Sequence, residues 1–270
     1  MDWNKIKTIF IIVFFILNIF LFLLFFNRYN EAQEYQVDGE TTIQERLQAD
    51  NIRFNSTPVD TIKESYASGN IQVYSFEDLP ESENQTYEVF NSTELLASFN
   101  EPIGLGTLVN PTVVNLFVNE HVFNGASYEL FKIDETSMEA TYFQTINNRQ
   151  IFHNQNALLT IYWNEENEVY KYEQTALEDL EAFEQTENLL TDDTAVEVLY
   201  QRNLIKPNST ISLISLGYST LVQLTETQVF APTWRVRVEL QDGTNEDYFV
   251  NAVEGKIIEF SKDPEEIVEQ

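Results

Sequence analysis

The sequence of 270 residues contains no cysteine and only two histidines. Without cysteine there is no disulfide, no thiolate metal ligand and no lipid attached through a cysteine. His121 and His153 lie far apart in the sequence, and neither has a second ligand nearby. Because no phosphate-binding loop and no nucleophile motif occurs either, we predict a non-enzymatic protein with no catalytic residue, metal or cofactor.

Glycine, proline and basic residues are also few. The 8 glycines and 7 prolines, together with 13% aromatic residues, are typical of a folded chain rather than a disordered one. Acidic residues number 44 and basic residues 15, and of these only Asp2, Lys5, Lys7 and Arg28 precede residue 30. Residues 30–270 therefore carry a formal net charge of −31, which excludes nucleic acid as a partner.

One long apolar run lies near the N-terminus. Residues 9–26 contain no charge, no Gly and no Pro, and Asn18 is their only polar residue. A helix of this length spans about 27 Å, close to the thickness of a bilayer's hydrocarbon core. Lys5 and Lys7 precede the run and only Arg28 follows it closely, so we expect a cytoplasmic N-terminus and the bulk of the chain outside the cell membrane. A cleaved signal peptide is the alternative, but its apolar core would be shorter and would end at small residues.

The rest of the sequence predicts an α+β ectodomain of two helix-plus-antiparallel-sheet units. We predict a cytoplasmic stub at 1–8, a transmembrane helix at 9–26, a stalk at 27–40, a first unit at 41–188, a second unit at 189–262 and an acidic tail at 263–270. A weak similarity between residues 42–52 and 194–204 suggests that the two units arose by duplication.

Local patterns predict the elements of these units. Helices are expected from Thr42, whose spacing to Glu45 is that of a capping box, and at 92–99, 176–190 and 191–204. Ser92 or Thr93 is the expected cap of the second helix, and residues 191–194 are expected to cap the last one. Strands are expected at 71–76, 113–118, 128–133, 141–152 with a turn at 147–148, 157–163, 168–174, 211–218, 221–229, 233–240, 248–253 and 256–260. The strands at 157–163 and 168–174 are expected to form a hairpin, and a turn at 254–255 is expected to join the last two strands.

Two features indicate contact with a partner protein. A polar amide in lipid gains ~0.5–2 kcal/mol from a hydrogen bond to another helix, and Asn18 lies among aromatic neighbours on one helical face. This helix contact face consists of Phe14, Phe15, Asn18, Leu21, Phe22 and Phe25. The alternative is that Asn18 is a single polar residue that the helix tolerates. Further on, Arg235 and Arg237 lie on one side of a predicted strand. They either pair with carboxylates across strands or form a docking spot for an acidic partner.

Several short segments carry a further indication. The first five residues, MDWNK, run directly into the Ile- and Phe-rich run. The others are ERL (45–47), ADNI (49–52), LY (199–200), LGY (216–218), APTWRV (231–236) and YFVNAVEG (248–255). In this combination, which spans nearly the whole chain, the sequence resembles the YycI (WalI) family of membrane-anchored regulators of Gram-positive bacteria.

The resemblance implies a non-enzymatic regulator of the essential sensor histidine kinase YycG (WalK), which governs cell-wall metabolism through its response regulator. It implies joint action with the partner YycH, through transmembrane helices and extracytoplasmic domains, and an α+β ectodomain related to part of YycH. A second copy of the chain is another candidate partner.

Two other functions stay open at this point. An extracytoplasmic module that senses a wall component, or that inhibits a wall hydrolase, would need a ligand groove. A membrane-tethered hydrolase would need a deep pocket with His121 or His153 beside carboxylates.

Overall fold

A computed structural model describes residues 3–33, 42–54, 62–223 and 226–260, without the side chains of residues 3–6, 8, 25–33 and 223. The predicted acidic tail and residues 34–40 of the predicted stalk lie outside the described residues. The helices are α1 (Trp3–Gln33), α2 (Ile43–Ala49), α3 (Pro111–His121) and α4 (Asp192–Gln201). The strands are β1 (Lys63–Ile71), β2 (Gln85–Phe90), β3 (Glu94–Gly104), β4 (Tyr128–Asp134), β5 (Glu139–Ile146), β6 (Arg149–Phe152), β7 (Leu158–Trp163), β8 (Glu168–Gln174), β9 (Leu177–Asn188), β10 (Thr210–Gln223), β11 (Thr227–Glu239), β12 (Asn245–Asn251) and β13 (Ile257–Ile258). The fold is α+β and mostly sheet.

Polar side chains fix the starts of the three short helices. Thr42 Oγ1 accepts a hydrogen bond from the Glu45 N–H at 3.3 Å, and the Glu45 carboxylate accepts one from the Thr42 N–H at 3.2 Å. The predicted capping box is therefore confirmed. Asn110 caps α3 in front of Pro111, and Thr191 caps α4, because side-chain oxygens satisfy N–H groups that a first helical turn leaves without partners.

The strands form one sheet that has two parts. Strands β9, β1, β11, β10, β12 and β13 make up sheet A, and strands β4, β5, β7, β8, β3 and β2 make up sheet B. Strand β6 joins them, because it pairs antiparallel with β5 and parallel with β10. At this junction Gly217 is required, since a Cβ there would lie 2.4 Å from the Phe152 ring.

Each part of the sheet buries one face against helices. Sheet B packs on α3, where Val114, Phe117 and Val118 are at most 5% exposed. Sheet A packs against α2 and α4, where the core includes Leu47 and Leu199. Burial of these apolar side chains supplies the main stabilisation of the two parts.

The two helices that resemble each other in sequence, α2 and α4, share the core of sheet A and also contact each other directly. Arg46 Nη2 lies 2.5 Å from Glu197 Oε1, and the Tyr200 hydroxyl donates to Asp50 Oδ2 at 2.7 Å. The helix that opens the predicted first unit thus packs with the helix that opens the second. The predicted boundary between the units, and their duplication, stay predictions.

Three predicted elements have the wrong type. Residues 92–99 do not form a helix; they form the turn before β3 and the first part of that strand. Within the strand, Leu95, Ala97 and Phe99 are buried, and the residues between them are partly exposed. Asn91 and Ser92 have φ values of 49° and 64° and form a tight hairpin turn, so Ser92 is a turn residue rather than a helix cap.

The second correction concerns residues 113–118, which lie in helix α3 rather than in a strand. The cap at Asn110 and the Pro in the first turn override the strand preference of the valines.

The third correction concerns residues 176–190, which hold strand β9 rather than a helix. Leu177, Leu180 and Phe183 have helical spacing, but Phe183 is 44% exposed and pairing with β1 determines the strand conformation. The pairing has two irregularities, each of which adds residues to β9.

The other predicted strands are broadly confirmed, with different bounds. The hairpin of β7 and β8 and the returns of β5–β6 and β12–β13 occur as predicted. Three predicted strands between 211 and 240 are two long strands, β10 and β11. The predicted strand at 71–76 is mostly displaced toward the N-terminus, because β1 ends at Ile71.

Candidate functional site

Helix α1 exposes its apolar residues on all sides. Every large apolar side chain from Ile9 to Leu24 is between 46% and 73% exposed. Among the described residues, no helix combines the length and the apolar character that a membrane crossing requires. The prediction that residues 9–26 span a membrane therefore stays a prediction.

The helix contact face predicted from the sequence is part of this exposed surface. Phe14 is 67% exposed, Phe15 65%, Leu21 53% and Phe22 62%. The side chain of Phe25 lies outside the described residues. The structure thus presents these side chains on an exposed helix, and their role in partner contact stays a prediction.

Asn18 makes a hydrogen bond within its own helix. Its Nδ2 donates to the Phe14 carbonyl oxygen at 2.8 Å. An asparagine amide has a second N–H and an oxygen with two lone pairs, so this bond uses one of its two donors and leaves its acceptor capacity. The side chain can therefore still bond to a neighbouring helix.

Arg235 and Arg237 share a single carboxylate partner, Asp247, on the neighbouring strand β12. Each arginine donates two hydrogen bonds to Asp247, at 2.8–3.0 Å. The Arg235 side chain is 4% exposed and that of Arg237 is 27% exposed. The cross-strand pairing considered in the sequence analysis is present, and the docking role of the two arginines stays a prediction.

Burial and ion pairing have opposite effects on the pKa values of Asp247 and Arg235. Burial would raise the pKa of Asp247, but hydrogen bonds from Arg237 and Arg235 and the attraction of both cations outweigh it and lower this pKa. Burial lowers the pKa of Arg235, and the bond to Asp247 partly offsets that effect. Both groups thus remain charged at neutral pH, and each depends on the other.

Arg235 also ties sheet A to sheet B. Its guanidinium carbon lies 3.9 Å from the centroid of the Phe131 ring on β4. The exposed ring of His153 packs beside this group, 5.3 Å from Phe131, and stacks on Phe260 at 4.5 Å between centroids. His153 thus lies among aromatic rings at the junction of the sheets.

The other histidine also packs on aromatic rings. The His121 ring lies 5.1 Å from the Phe117 ring, and its Nε2 is 3.8 Å from a Glu120 carboxylate oxygen. In the part of the chain that the structure describes, no group of three or more His, Cys, Asp or Glu side chains is placed to hold a metal ion.

Sequence reasoning missed a cleft on the outer face of sheet B, the face opposite α3. Its volume is about 400 Å³. Phe90, Leu96, Leu158, Tyr162, Glu94 and Glu173 line most of it, from strands β2, β3, β7 and β8. The available signal was the alternation in β7, where Leu159, Ile161 and Trp163 are buried and the residues between them are half-exposed.

A second cavity, of about 600 Å³, lies between α2 and the first residues of β10. Gln44, Gln48, Asn51 and Arg53 give it a polar lining. It is the more polar of the two cavities, whereas the cleft on sheet B has the larger apolar share.

Two solved structures resemble the fold weakly. One is a crystal structure of an uncharacterized protein from Eubacterium rectale ATCC 33656, with a TM-score of 0.42, 12% identity, and coverage of 73% of this chain and 87% of that one. The other is the Bacillus megaterium YpeB C-terminal domain, with a TM-score of 0.39, 9% identity, and coverage of 72% and 90%. Likeness at this level carries no argument about function. No curated protein matches the chain.

A family model described as YycI protein matches residues 30–253, which is most of the sequence and nearly all of the region that follows α1. The family resemblance predicted from the short segments is therefore confirmed. This chain belongs to the YycI family.

Proposed function

We propose that this protein is a membrane-anchored, non-enzymatic regulator of a sensor histidine kinase of the YycG (WalK) type, which acts with a YycH-like partner. Its family is linked to the regulation of two-component systems, which supports a kinase as the regulated protein. In this proposal α1 spans the cell membrane with its N-terminus in the cytoplasm, and the sheets lie outside.

The observation that carries the proposal is the exposure of α1. Fifteen large apolar side chains from Ile9 to Leu24 are exposed around one helix. Contact of this apolar surface with water is unfavourable, and lipid or a partner helix would replace the water. In this proposal a signal from the sheets passes through contacts of α1 with a partner helix or through contacts made outside.

The test is kinase autophosphorylation in proteoliposomes that contain the kinase, the YycH-like partner and this chain. We expect the full-length protein to shift the rate. Asn18→Leu should reduce that shift by about two- to thirtyfold, because it removes an interhelical bond worth about 0.5–2 kcal/mol. Phe14→Leu should also reduce it, since it removes ring contacts from the helix contact face.

Phe20→Leu is the matched control. Phe20 lies on the opposite side of α1 from Asn18 and is 54% exposed, so the same substitution should leave the shift unchanged. If full-length protein fails to shift the rate with both partners present, direct kinase control is wrong. Equal effects of Phe14→Leu and Phe20→Leu would remove the predicted contact face but keep the regulator.

A further inference from the structure

At strands β2, β3, β7 and β8 the outer face of sheet B is a sheet surface with apolar walls. At β4 and β5 the same face is covered, because Phe131 and Phe143 pack there with rings from the sheet junction and Phe143 is 3% exposed. The described helices pack elsewhere, since α3 covers the inner face and α2 and α4 cover sheet A. On the outer face, Leu96, Leu158 and Tyr162 are half-exposed and Phe90 is 46% exposed. Together they wall the cleft of about 400 Å³, a volume that accommodates one or two large side chains.

Carboxylates lie at fixed places on this surface. The strand register sets Glu173 of β8 beside Leu96 of β3, and Leu96 beside Glu88 of β2. Glu94 lines the cleft next to Phe90, its partner across the hairpin. Apolar and acidic side chains thus alternate across neighbouring strands.

The protein already holds one cation here with its own chain. Lys171 Nζ lies 2.7 Å from a Glu173 oxygen and 4.3 Å from the centroid of the Tyr162 ring. The Tyr162 hydroxyl donates to the other Glu173 oxygen at 3.0 Å. An ammonium group thus lies between a carboxylate and an aromatic face on this surface. Glu88 and Glu94 are exposed and add two negative charges to the same face, on strands β2 and β3.

We propose that this cleft binds a segment of a partner protein in which a large apolar side chain stands next to a lysine or arginine. The apolar side chain would fill the space between Phe90 and Leu158, and the cation would lie beside Glu94. A second copy of the chain is a poor occupant, because residues 30–270 of both copies carry −31. This binding depends only on the side chains of the cleft, so it does not require that the protein regulates a kinase.

The experiment measures fluorescence anisotropy of labelled hexapeptides with full-length protein in maltoside micelles, after subtraction of binding to micelles alone. The probes are an alternating Lys–Leu peptide, an alternating Glu–Leu peptide and an alternating Lys–Ser peptide. We expect the Lys–Leu peptide to bind at least about tenfold more tightly than the other two, because it alone offers both groups.

Variants locate the binding. Phe90→Ser should weaken the Lys–Leu peptide about tenfold, and Glu94→Gln about threefold at low salt, with a smaller effect at high salt. Phe183→Ser and Glu184→Gln are matched controls, since both residues are exposed on β9, outside the cleft, and they should leave affinity unchanged. All four side chains are exposed, so the thermal unfolding midpoint should stay constant.

Three results would overturn the proposal. Equal affinity for the Lys–Ser peptide would mean attraction to the acidic chain as a whole. Equal effects of the cleft variants and their β9 controls would place the binding elsewhere. Absence of binding by the Lys–Leu peptide at roughly 1 mM would exclude a cleft of this chemistry.

Discussion

Helices α1 and α3 are both rich in apolar residues, but they use them in opposite ways. In α3, Val114, Phe117 and Val118 form one buried stripe against sheet B, and Leu116 on the opposite side is 55% exposed. In α1 the apolar residues surround the helix and are all exposed between Ile9 and Leu24. A stripe is what a helix needs to pack on its own chain, whereas uniform apolarity is typical of a helix that is surrounded by lipid or by partners.

This difference separates the molecule into a part that stabilises itself and a part that depends on its surroundings. The sheets, α2, α3 and α4 bury their own apolar surface. Of the α1 side chains that the structure describes, none belongs to an apolar core. Substitutions in the sheets or in α2, α3 and α4 should therefore change the stability of the protein. Substitutions in α1 should instead change its regulation of a partner.

The largest expected difference lies between two phenylalanines. Phe117→Ala in α3 should lower the free energy of unfolding by about 3–5 kcal/mol, because it leaves a cavity beside Phe99. Phe14→Ala in α1 should change it by less than about 0.5 kcal/mol. Urea unfolding followed by tryptophan fluorescence measures both, and equal losses would mean that α1 packs on the sheets after all.

The next prediction concerns the buried pair of arginines. Asp247→Asn should cost about 3 kcal/mol or more, since it leaves Arg235 without its charged partner at 4% exposure. The pair of Lys132 and Asp134, whose side chains are 59% and 29% exposed, is the control, and Asp134→Asn should cost at most about 1 kcal/mol.

The same aspartate predicts how stability depends on pH. Its pKa is lower in the folded chain than in the unfolded chain, so its contribution is complete above pH of about 4 and is lost as the pH falls through the lowered pKa. Unfolding free energies measured from pH 6 downward should therefore fall less steeply for Asp247→Asn than for the unmodified protein. If the unfolding free energies of the two proteins fell equally with pH, the lowered pKa of Asp247 would be contradicted.

A smaller effect is expected at the junction of the two sheets. Gly217→Ala should destabilise the protein by about 1–3 kcal/mol, because the new methyl group would overlap the Phe152 ring and the Gln150 carbonyl oxygen. Gly104→Ala is the control, since a Cβ there meets no atom within 4 Å. Differential scanning calorimetry should show a lower midpoint for the first variant only. Equal midpoints would mean that β6 and β10 separate easily.

Local sequence signals predicted much of this architecture. The capping box at Thr42, the cap at Thr191 and the hairpin of β7 and β8 depend on residues close in sequence, and each is present. The wrong predictions at 92–99 and 176–190 concern segments whose conformation is determined by pairing with distant strands. Strand β3 pairs with β8, and β9 pairs with β1. Propensity is a weak guide where such pairing is available.

The candidate sites also differ in whether they depend on residues close in sequence or on distant ones. The helix contact face was visible in sequence because it needs only the helical period around Asn18. The shared partner of Arg235 and Arg237 required the register of β11 with β12, which places Arg237 opposite Asp247. The cleft on sheet B requires four strands from different parts of the chain, so the alternation in β7 indicates an outer face but does not predict the cleft.

The most direct test of the proposed membrane topology uses the absence of cysteine as a background. Two full-length variants, Asn4→Cys and Glu184→Cys, are treated in intact cells with a maleimide that does not cross membranes. We expect labelling of Glu184→Cys in intact cells, and labelling of Asn4→Cys only after permeabilisation. Labelling of both variants in intact cells, or of neither before permeabilisation, would contradict an α1 that spans the membrane with the sheets outside.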